Sequence, residues 1–516
     1  MQGYSVRSTA CGLVRGVAHN RVESYLGIPY GASTGGAARW RTATAPEAWT
    51  GIRDATAFGA VAPQVDSRLG ATGSWPEVLD LMYPRGGSPA EGGHVGEDCL
   101  VLNVWAPAER DSEALPVMVW FHGGGYGHGA GSEMLFSGDE LARTGRVIVV
   151  SINHRLGLMG FLALDHVLGS SFRHSGQAGI TDLVLALTWV RENIAGFGGD
   201  PERVTIFGQS GGAAKVSAML AMPSARGLFQ RAVMQSGPVG WFATRQESLD
   251  RTARVLGLLG LDASEADLLL DLPLRYLLAA QRRAQAAAIT WAPHVDGDLV
   301  PALPFSAEGI AAMPQVPLLV GSAAHEMSLM LTEQLGYDTL QIADLGPLVA
   351  TMFPERHDEV IADYRSRFPG ENASLVLARI ATDATFTRSA TLAAAVKSRQ
   401  PAPVYAYRLD YETDAHGGRL GATHSLDLPL VFGTVARSPF AGSRKERFDV
   451  SRRMRDAWLA FAECGAPNHD DIPAWPAYDE AERRVMVIDS QWSVVEGPRL
   501  DGFPPVNAPL AWPDQP

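Results

Sequence analysis

Cysteine is scarce in this chain: three residues, Cys11, Cys99 and Cys464, among 516. Three cysteines cannot build a disulfide framework, and one always stays unpaired, which fits a reducing compartment or simple indifference to redox conditions. No uninterrupted apolar run approaches the ~20 residues that a membrane helix needs, so no membrane span is expected. The first residues, Met-Gln-Gly-Tyr-Ser-Val, carry no basic patch followed by an apolar core. No secretory signal is therefore legible, and the expected location is the cytoplasm. Basic residues are outnumbered, 43 Lys and Arg against 56 Asp and Glu, for a net charge of -13. They are also scattered, and without a Lys/Arg-rich stripe nucleic acid is not the expected partner. What the chain does have is 46% hydrophobic content, ample for a large buried core. Length alone suggests three domains, but large α/β enzymes often form one compact unit, and a single domain over residues 1–516 is expected.

The chain is organised around Val204-Thr-Ile-Phe-Gly-Gln-Ser-Gly-Gly-Ala213. A β-branched and aromatic run stops at Gly208, and a helix-favouring segment follows from Ala213 to Met222. Ser210 stands at the apex of this strand, turn and helix. The spacing G-x-S-x-G is that of a nucleophile elbow, in which the turn is too sharp for bulky flanking side chains. The bland alternative is a Gly-Ser linker turn, which a flanking strand and helix disfavour. Cys99–Trp105, Leu115–Phe121 and Val147–Ile152 are near-continuous apolar runs, the pattern of strands buried on both faces. Asp182 to Ile194 places Leu183, Ala186, Leu187, Val190 and Ile194 at helical spacing. Strand and helix thus alternate, as in a mostly parallel sheet with right-handed crossovers. Residues 62–96, carrying Trp75, are Gly/Pro-rich and poorly periodic, and read as a surface loop.

His122-Gly-Gly-Gly-Tyr-Gly-His-Gly-Ala-Gly131 directly follows the second of those strands. Its glycines leave backbone amides free to turn toward a ligand. Gly125, Gly127 and Ala130 fit a loose dinucleotide pattern, but no clean helix opens there and no acid lies at the expected distance. The competing reading is an oxyanion loop whose N–H groups complement the elbow amide. A serine nucleophile needs a base, and the base an acid, in the chain order Ser, acid, His. Glu326 lies in the loop leaving the strand Val316–Val320. Asp296 and Asp298 compete, but sit in a Gly/Pro turn where Asp more often caps. His416 and His424 both follow the strand Val404–Leu409, and spacing alone does not separate them. His357 and His469 lie in charged or polar surroundings and read as surface.

Glu97-Asp-Cys-Leu-Val-Leu-Asn-Val-Trp105, the His122 glycine loop, Asn193-Ile-Ala-Gly-Phe-Gly-Gly-Asp-Pro201 and the elbow together resemble the type B carboxylesterases, the cholinesterase-like branch of the α/β-hydrolases. Weaker matches run from Tyr25–Tyr30 to Trp475–Asp479, so the resemblance covers nearly the whole chain, and a bacterial member is expected. It implies an α/β-hydrolase fold: a large, mixed, mostly parallel sheet flanked by helices, with helical insertions forming a gorge. Gly421-Ala-Thr-His-Ser-Leu-Asp-Leu-Pro-Leu-Val-Phe-Gly433 resembles the family's histidine motif and puts His424 in the catalytic place. By the same matching Glu326 is the acid, and Gly124, Gly125 and Gly211 supply the oxyanion donors. Arg155 and Asp182 occupy places that resemble a buried ion pair of the family, and Arg39 with Glu97 is expected to form another.

Departures from the pattern carry information. Gln209 precedes the nucleophile where the family usually has Glu, and His325 stands where an acidic residue is common. Ala62 replaces the cysteine that secreted relatives pair with the equivalent of Cys99. Carried across without gaps, the acyl-pocket positions fall on Ala287 and Ile289, small enough to admit acyl groups bulkier than acetyl. The aromatic residues that line a cholinesterase gorge have no counterparts in residues 62–96, so a choline substrate is not expected. The resemblance implies ester hydrolysis through an acyl-enzyme, without metal or organic cofactor, in a monomer or homodimer. The same constellation serves carbamate or amide hydrolysis, and some relatives are non-catalytic adhesion proteins that have lost a triad member.

Overall fold

The computed structural model describes residues 3–66, 72–83, 94–109 and 113–500. These form two compact units. The first comprises the described residues up to 233, except 72–83, together with 240–316; the second comprises 72–83, 234–239 and 317–500.

In the first unit the strands are β1 (Gly3–Thr9), β2 (Gly12–His19), β3 (Val22–Pro29), β4 (Ile52–Asp54), β5 (Val101–Pro107), β6 (Leu115–Phe121), β7 (Ile148–Ile152) and β8 (Gly199–Gln209). Their order is β1-β2-β3-β5-β7-β6-β8, with β4 against β2. The pairs from β1 to β7 are antiparallel, whereas β6 runs parallel to both β7 and β8. Every residue of β5 and β7 is buried, and all but the first of β6. Unalternating apolar sequence is thus explained by burial on both faces. The crossover helix Ala178–Asn193 buries Leu183, Ala186, Leu187 and Val190 along one stripe. Ile194 opens the short 3-10 turn that ends at Gly198, whose φ of 87° reverses the chain toward β8.

β9 (Arg231–Gln235) carries the chain across the boundary. The second unit contains β10 (Leu318–Ala323), β11 (Val404–Leu409), β12 (Arg484–Ile488) and β13 (Ser493–Glu496), in that spatial order. β10, β11 and β12 pair in parallel and β13 is antiparallel to β12.

One expectation needs correcting here. Within the supposed surface loop 62–96, Trp75–Met82 is an α-helix with Pro in its first turn and Val78, Leu79 and Met82 buried. Eight residues are two turns, too short for a helical period to stand out in a Gly/Pro-rich stretch. Residues 67–71 and 84–93 of that stretch lie outside the described residues.

The two ion pairs are present. Arg155 Nη2 lies 2.6 Å from Asp182 Oδ1 and its Nε 2.9 Å from Oδ2, with both side chains fully buried. Arg39 grips Glu97 through Nε at 2.6 Å and Nη2 at 2.8 Å. Its Nη1 donates to the carbonyls of Leu269, Leu270 and Leu272. Cys99 lies free and buried beside Arg155 and Asp182, and burial pushes its thiol up to about 12, which leaves it unreactive.

Candidate active site

β8 ends at Gln209, and a helix begins at Gly211, leaving Ser210 alone to make the turn. Its φ of 58° and ψ of -123° are a backbone state that residues with a Cβ seldom adopt. The motif's glycines are explained by what surrounds this turn. A Cβ on Gly208 would lie 2.5 Å from the carbonyl carbon of Gly212, and one on Gly211 would lie 2.4 Å from the Cα of Gly125. The elbow and the glycine loop therefore touch backbone to backbone. Ser210 is only partly covered, whereas every residue of the helix Gly211–Ala221 is buried.

The glycine loop is held at several points. His128 N–H donates to Gly124 O at 3.0 Å, folding the loop back on itself. Gln64 braces it reciprocally, accepting from Gly129 N–H at 2.9 Å and donating to Gly129 O at 3.0 Å. Gly131 N–H donates to the Asn153 side chain at 2.7 Å. Gly124 and Gly125 both have positive φ, 81° and 60°. Gln209 is buried, and its side-chain oxygen is 3.2 Å from where a Cβ on Gly123 would sit.

In the second unit β10 extends to Ala323, three residues past the strand end expected from sequence, and Glu326 opens the short helix Glu326–Leu331. Its carboxylate is fully buried and accepts from Ala323 N–H and from His424 Nδ1–H, both at 2.5 Å. With Nδ1 donating, Nε2 is the nitrogen with a lone pair to offer as a base. The Phe386 ring packs 5.2 Å from that imidazole. His325, the residue that departs from the family pattern, cross-links the acid and histidine segments. Its N–H donates to Ala422 O at 2.8 Å, and its Nδ1 accepts from Ala422 N–H at 3.1 Å. That tautomer leaves Nε2–H to donate to Glu371 at 3.0 Å. His325, Glu371 and Glu412 bring possible ligand atoms within 4.8 Å of one another. Arg379, which donates to Glu371 at 2.5 Å, already supplies the positive charge there, so the group is an ion-pair network.

The remaining sequence candidates separate cleanly. His416 stands beside Asp338 and Glu77, at 3.5 and 3.6 Å, not beside Glu326. Asp296 caps its own turn by accepting from Asp298 and Val300 N–H groups. Ala287 is exposed, the C-cap of the helix Leu274–Ala286. Ile289 is buried and lines a cavity of about 380 Å³ together with Trp241, Phe242, Arg251 and Ala292.

The carboxylesterase family profile matches residues 4–500. Para-nitrobenzyl esterase of Bacillus subtilis (strain 168) is 34% identical over 507 residues, covering 96% of this chain and 97% of that protein. Phenmedipham hydrolase of Pseudarthrobacter oxydans is 32% identical over 510 residues, covering 95% and 96%. A solved PNB esterase superposes with a TM-score of 0.81 at 33% identity, over 97% of this chain and 98% of that one. A Geobacillus stearothermophilus carboxylesterase gives the same score and identity over 96% and 98%. The chain belongs to the carboxylesterase family.

It is accordingly a serine hydrolase of carboxylic esters with the α/β-hydrolase fold. Among its described residues, no helix is long and apolar enough to cross a membrane. Three of the esterase's site neighbours escaped the sequence reading. Trp241 sits against the glycine loop, its ring edge 2.9 Å from where a Cβ on Gly125 would project, and packs edge-on to Tyr126 at 5.5 Å. Nothing around Trp241 in the sequence marks it. Lys215 was visible as the one charge in an otherwise apolar helix.

Asp427 lies three residues after His424, inside the histidine motif. Gln235 donates to its Oδ2 at 2.6 Å, and Gln235 in turn accepts from Trp458 at 3.0 Å. Burial first, and the nearby Glu326 charge second, push the Asp427 carboxyl from 3.8 up to about 7. Between those values the native esterase holds a proton that the unfolded chain releases. This group's contribution to stability therefore falls as pH rises from about 4 to about 7. Asp427→Asn, neutral throughout, is expected to gain stability relative to the native protein across that window. Urea midpoints measured at a series of pH values check this, and a difference that does not change with pH overturns it.

Proposed function

We propose that Ser210 is the nucleophile, His424 the general base and Glu326 its orienting acid. Ser210 Oγ attacks the ester carbonyl as His424 Nε2 takes its proton, and Glu326 stabilises the imidazolium through Nδ1–H. His424 then protonates the departing alcohol, and water repeats the sequence to release the acid. The amides of Gly124, Gly125 and Gly211 face the tetrahedral oxyanion, each donor contributing about 3 kcal/mol. The whole chain, matched by the family over residues 4–500, acts as one catalytic domain. The single observation that carries this reading is Ser210 alone at a strained turn, with Gly211 pressed against Gly125. A fluorophosphonate probe is expected to label one residue, identified as Ser210 by peptide mass spectrometry. Labelling elsewhere, or none in an enzyme that turns over nitrophenyl esters, sinks the assignment.

The acyl group is read as resting against Trp241 and Ile289, with Gln209 placing a neutral amide beside the nucleophile. No phenyl ring occupies position 289, so kcat/KM is expected to rise from acetyl to butyryl or hexanoyl nitrophenyl esters, about 0.8 kcal/mol for each buried methylene. The preference is graded, because hydrophobic pockets discriminate modestly. Ile289→Phe reverses the trend, whereas Ala287→Phe, at an exposed position, leaves it in place. An enzyme that strongly favours acetyl esters contradicts this pocket.

A cytoplasmic location is supported by the free thiols of Cys11, Cys99 and Cys464. Fractionation of the source cells tests it, and recovery of the esterase outside the cytoplasm overturns it.

A further inference from the structure

A lysine is an unusual occupant of the elbow helix. Lys215 follows Ser210 by five residues and is completely buried among Ala, Val and Met positions. Its Nζ donates to the carbonyl of His122 at 2.8 Å. His122 is the residue on which the glycine loop begins. Where the loop ends, Ala130 N–H donates to Glu133 Oε1 at 3.0 Å, and the Glu133 carboxylate is the charge that supports the Lys215 ammonium. Each end of the loop is thereby held by a buried ionisable side chain, Lys215 at its start and Glu133 at its end. Two further buried rings flank the arrangement, His122 and His154, stacked 5.0 Å apart. Both lie well below the ordinary histidine range because of burial and then the Lys215 charge, so neither competes as a cation.

We propose that Lys215 and Glu133 form a clamp across the base of the glycine loop, and that the clamp holds the Gly124 and Gly125 amides in register with Gly211 for the developing oxyanion. Neither residue touches substrate; both are positioning residues. The inference rests on the oxyanion reading given above. Two features support it beyond the contacts. Burial drags the Lys215 ammonium down to about 7, so the site keeps a lysine where its charge is disfavoured. The neighbouring Gly211–Gly125 contact leaves no slack, since any side chain there would overlap backbone. A loop aligned this tightly responds to small displacements, because oxyanion donors act over about 2.7–3.1 Å.

The clamp makes a specific kinetic prediction. In Lys215→Met, active sites are counted by the burst of nitrophenol from a slowly deacylating ester, and turnover is expressed per titrated site. The expected result is a fall of roughly 100-fold in kcat with KM within about threefold, as for loss of an interaction made only in the transition state. An aryl trifluoromethyl ketone, which forms a tetrahedral adduct, is expected to lose affinity in parallel with kcat/KM. Lys215→Gln, which keeps a donor for the His122 carbonyl, recovers most of the loss. A merely structural lysine would lower the number of titratable sites and leave their turnover and ketone affinity unchanged, and that outcome overturns the clamp. Should Lys215→Met yield no folded protein, Glu133→Ala decides on the same readings, with unchanged turnover per site again overturning the proposal. Failure of the oxyanion reading itself looks different: the native enzyme would then bind the trifluoromethyl ketone no more tightly than the matched methyl ketone before any substitution is made.

Discussion

Ser210→Ala and His424→Ala are each expected to lower kcat by roughly 10⁶-fold, and Glu326→Gln by roughly 10⁴-fold. The ordering follows from what each group does. Without Ser210 no acyl-enzyme forms, and without His424 neither the attack nor the departure has a proton carrier. Glu326→Gln removes the negative charge under the imidazolium, while an amide there can also donate to Nδ1 and favour the wrong tautomer. The residual rate comes from the oxyanion donors and substrate binding, which the variants retain. Double variants among the three are expected to be little worse than the single ones, because the groups act as one unit. Initial rates on a nitrophenyl ester, corrected for contaminating wild-type enzyme by fluorophosphonate titration, test this. If His416→Ala abolished turnover and His424→Ala left it intact, the assignment of the base would be wrong.

The second large effect is on stability. Asp182→Ala leaves the Arg155 guanidinium buried, with its Nη1 still donating to Arg41 O but its counter-charge gone. Breaking a buried pair on one side costs about 3–5 kcal/mol, since the remaining charge keeps its desolvation penalty. Replacing both residues together, Arg155→Met with Asp182→Leu, is expected to recover most of that loss, because the pair's attraction largely offsets its own desolvation. Urea midpoints of the single and double variants decide between this and a surface role. An unchanged midpoint in Asp182→Ala removes the argument.

How much of this was legible in the sequence depended on whether the cause was local. The strand Leu115–Phe121 stands where continuous apolar sequence placed it, because burial on both faces removes every polar position from the run. Val404–Leu409 is also a strand, with Arg408 half-buried in it. The elbow was legible because its signature is local, although only Gly208 answers a demand made within five residues, whereas Gly211 and Gly212 make room for Gly125 and Phe121. Asp296, read as a cap, caps. Elements fixed by distant parts of the chain left weaker traces. The helix Trp75–Met82 draws its stability from packing of Val78 and Leu79 rather than from propensity over two turns. Trp241 meets Gly125 across more than a hundred residues of sequence, and the hydrogen bond from Lys215 to the His122 carbonyl spans 93. Choosing His424 over His416 needed the family's motif, since both follow the same strand and only the position of Glu326 separates them. Ala287 shows the limit of carrying positions across without gaps, as the helix before it runs to Ala286 and leaves residue 287 at the solvent.

The left-handed backbone at Ser210 sets the esterase's chemistry against its durability. A side chain held at φ 58° stores on the order of 1–3 kcal/mol, and glycine would relieve part of it while losing about 0.5–1 kcal/mol of chain entropy. With Ser210 as the proposed nucleophile, Ser210→Gly is thus expected to extinguish activity while making the protein harder to unfold. Selection for activity must act continually at this codon, because drift toward stability alone leads away from serine. In a directed-evolution campaign scored by heat resistance without an activity screen, position 210 is where a dead but sturdier protein would first emerge.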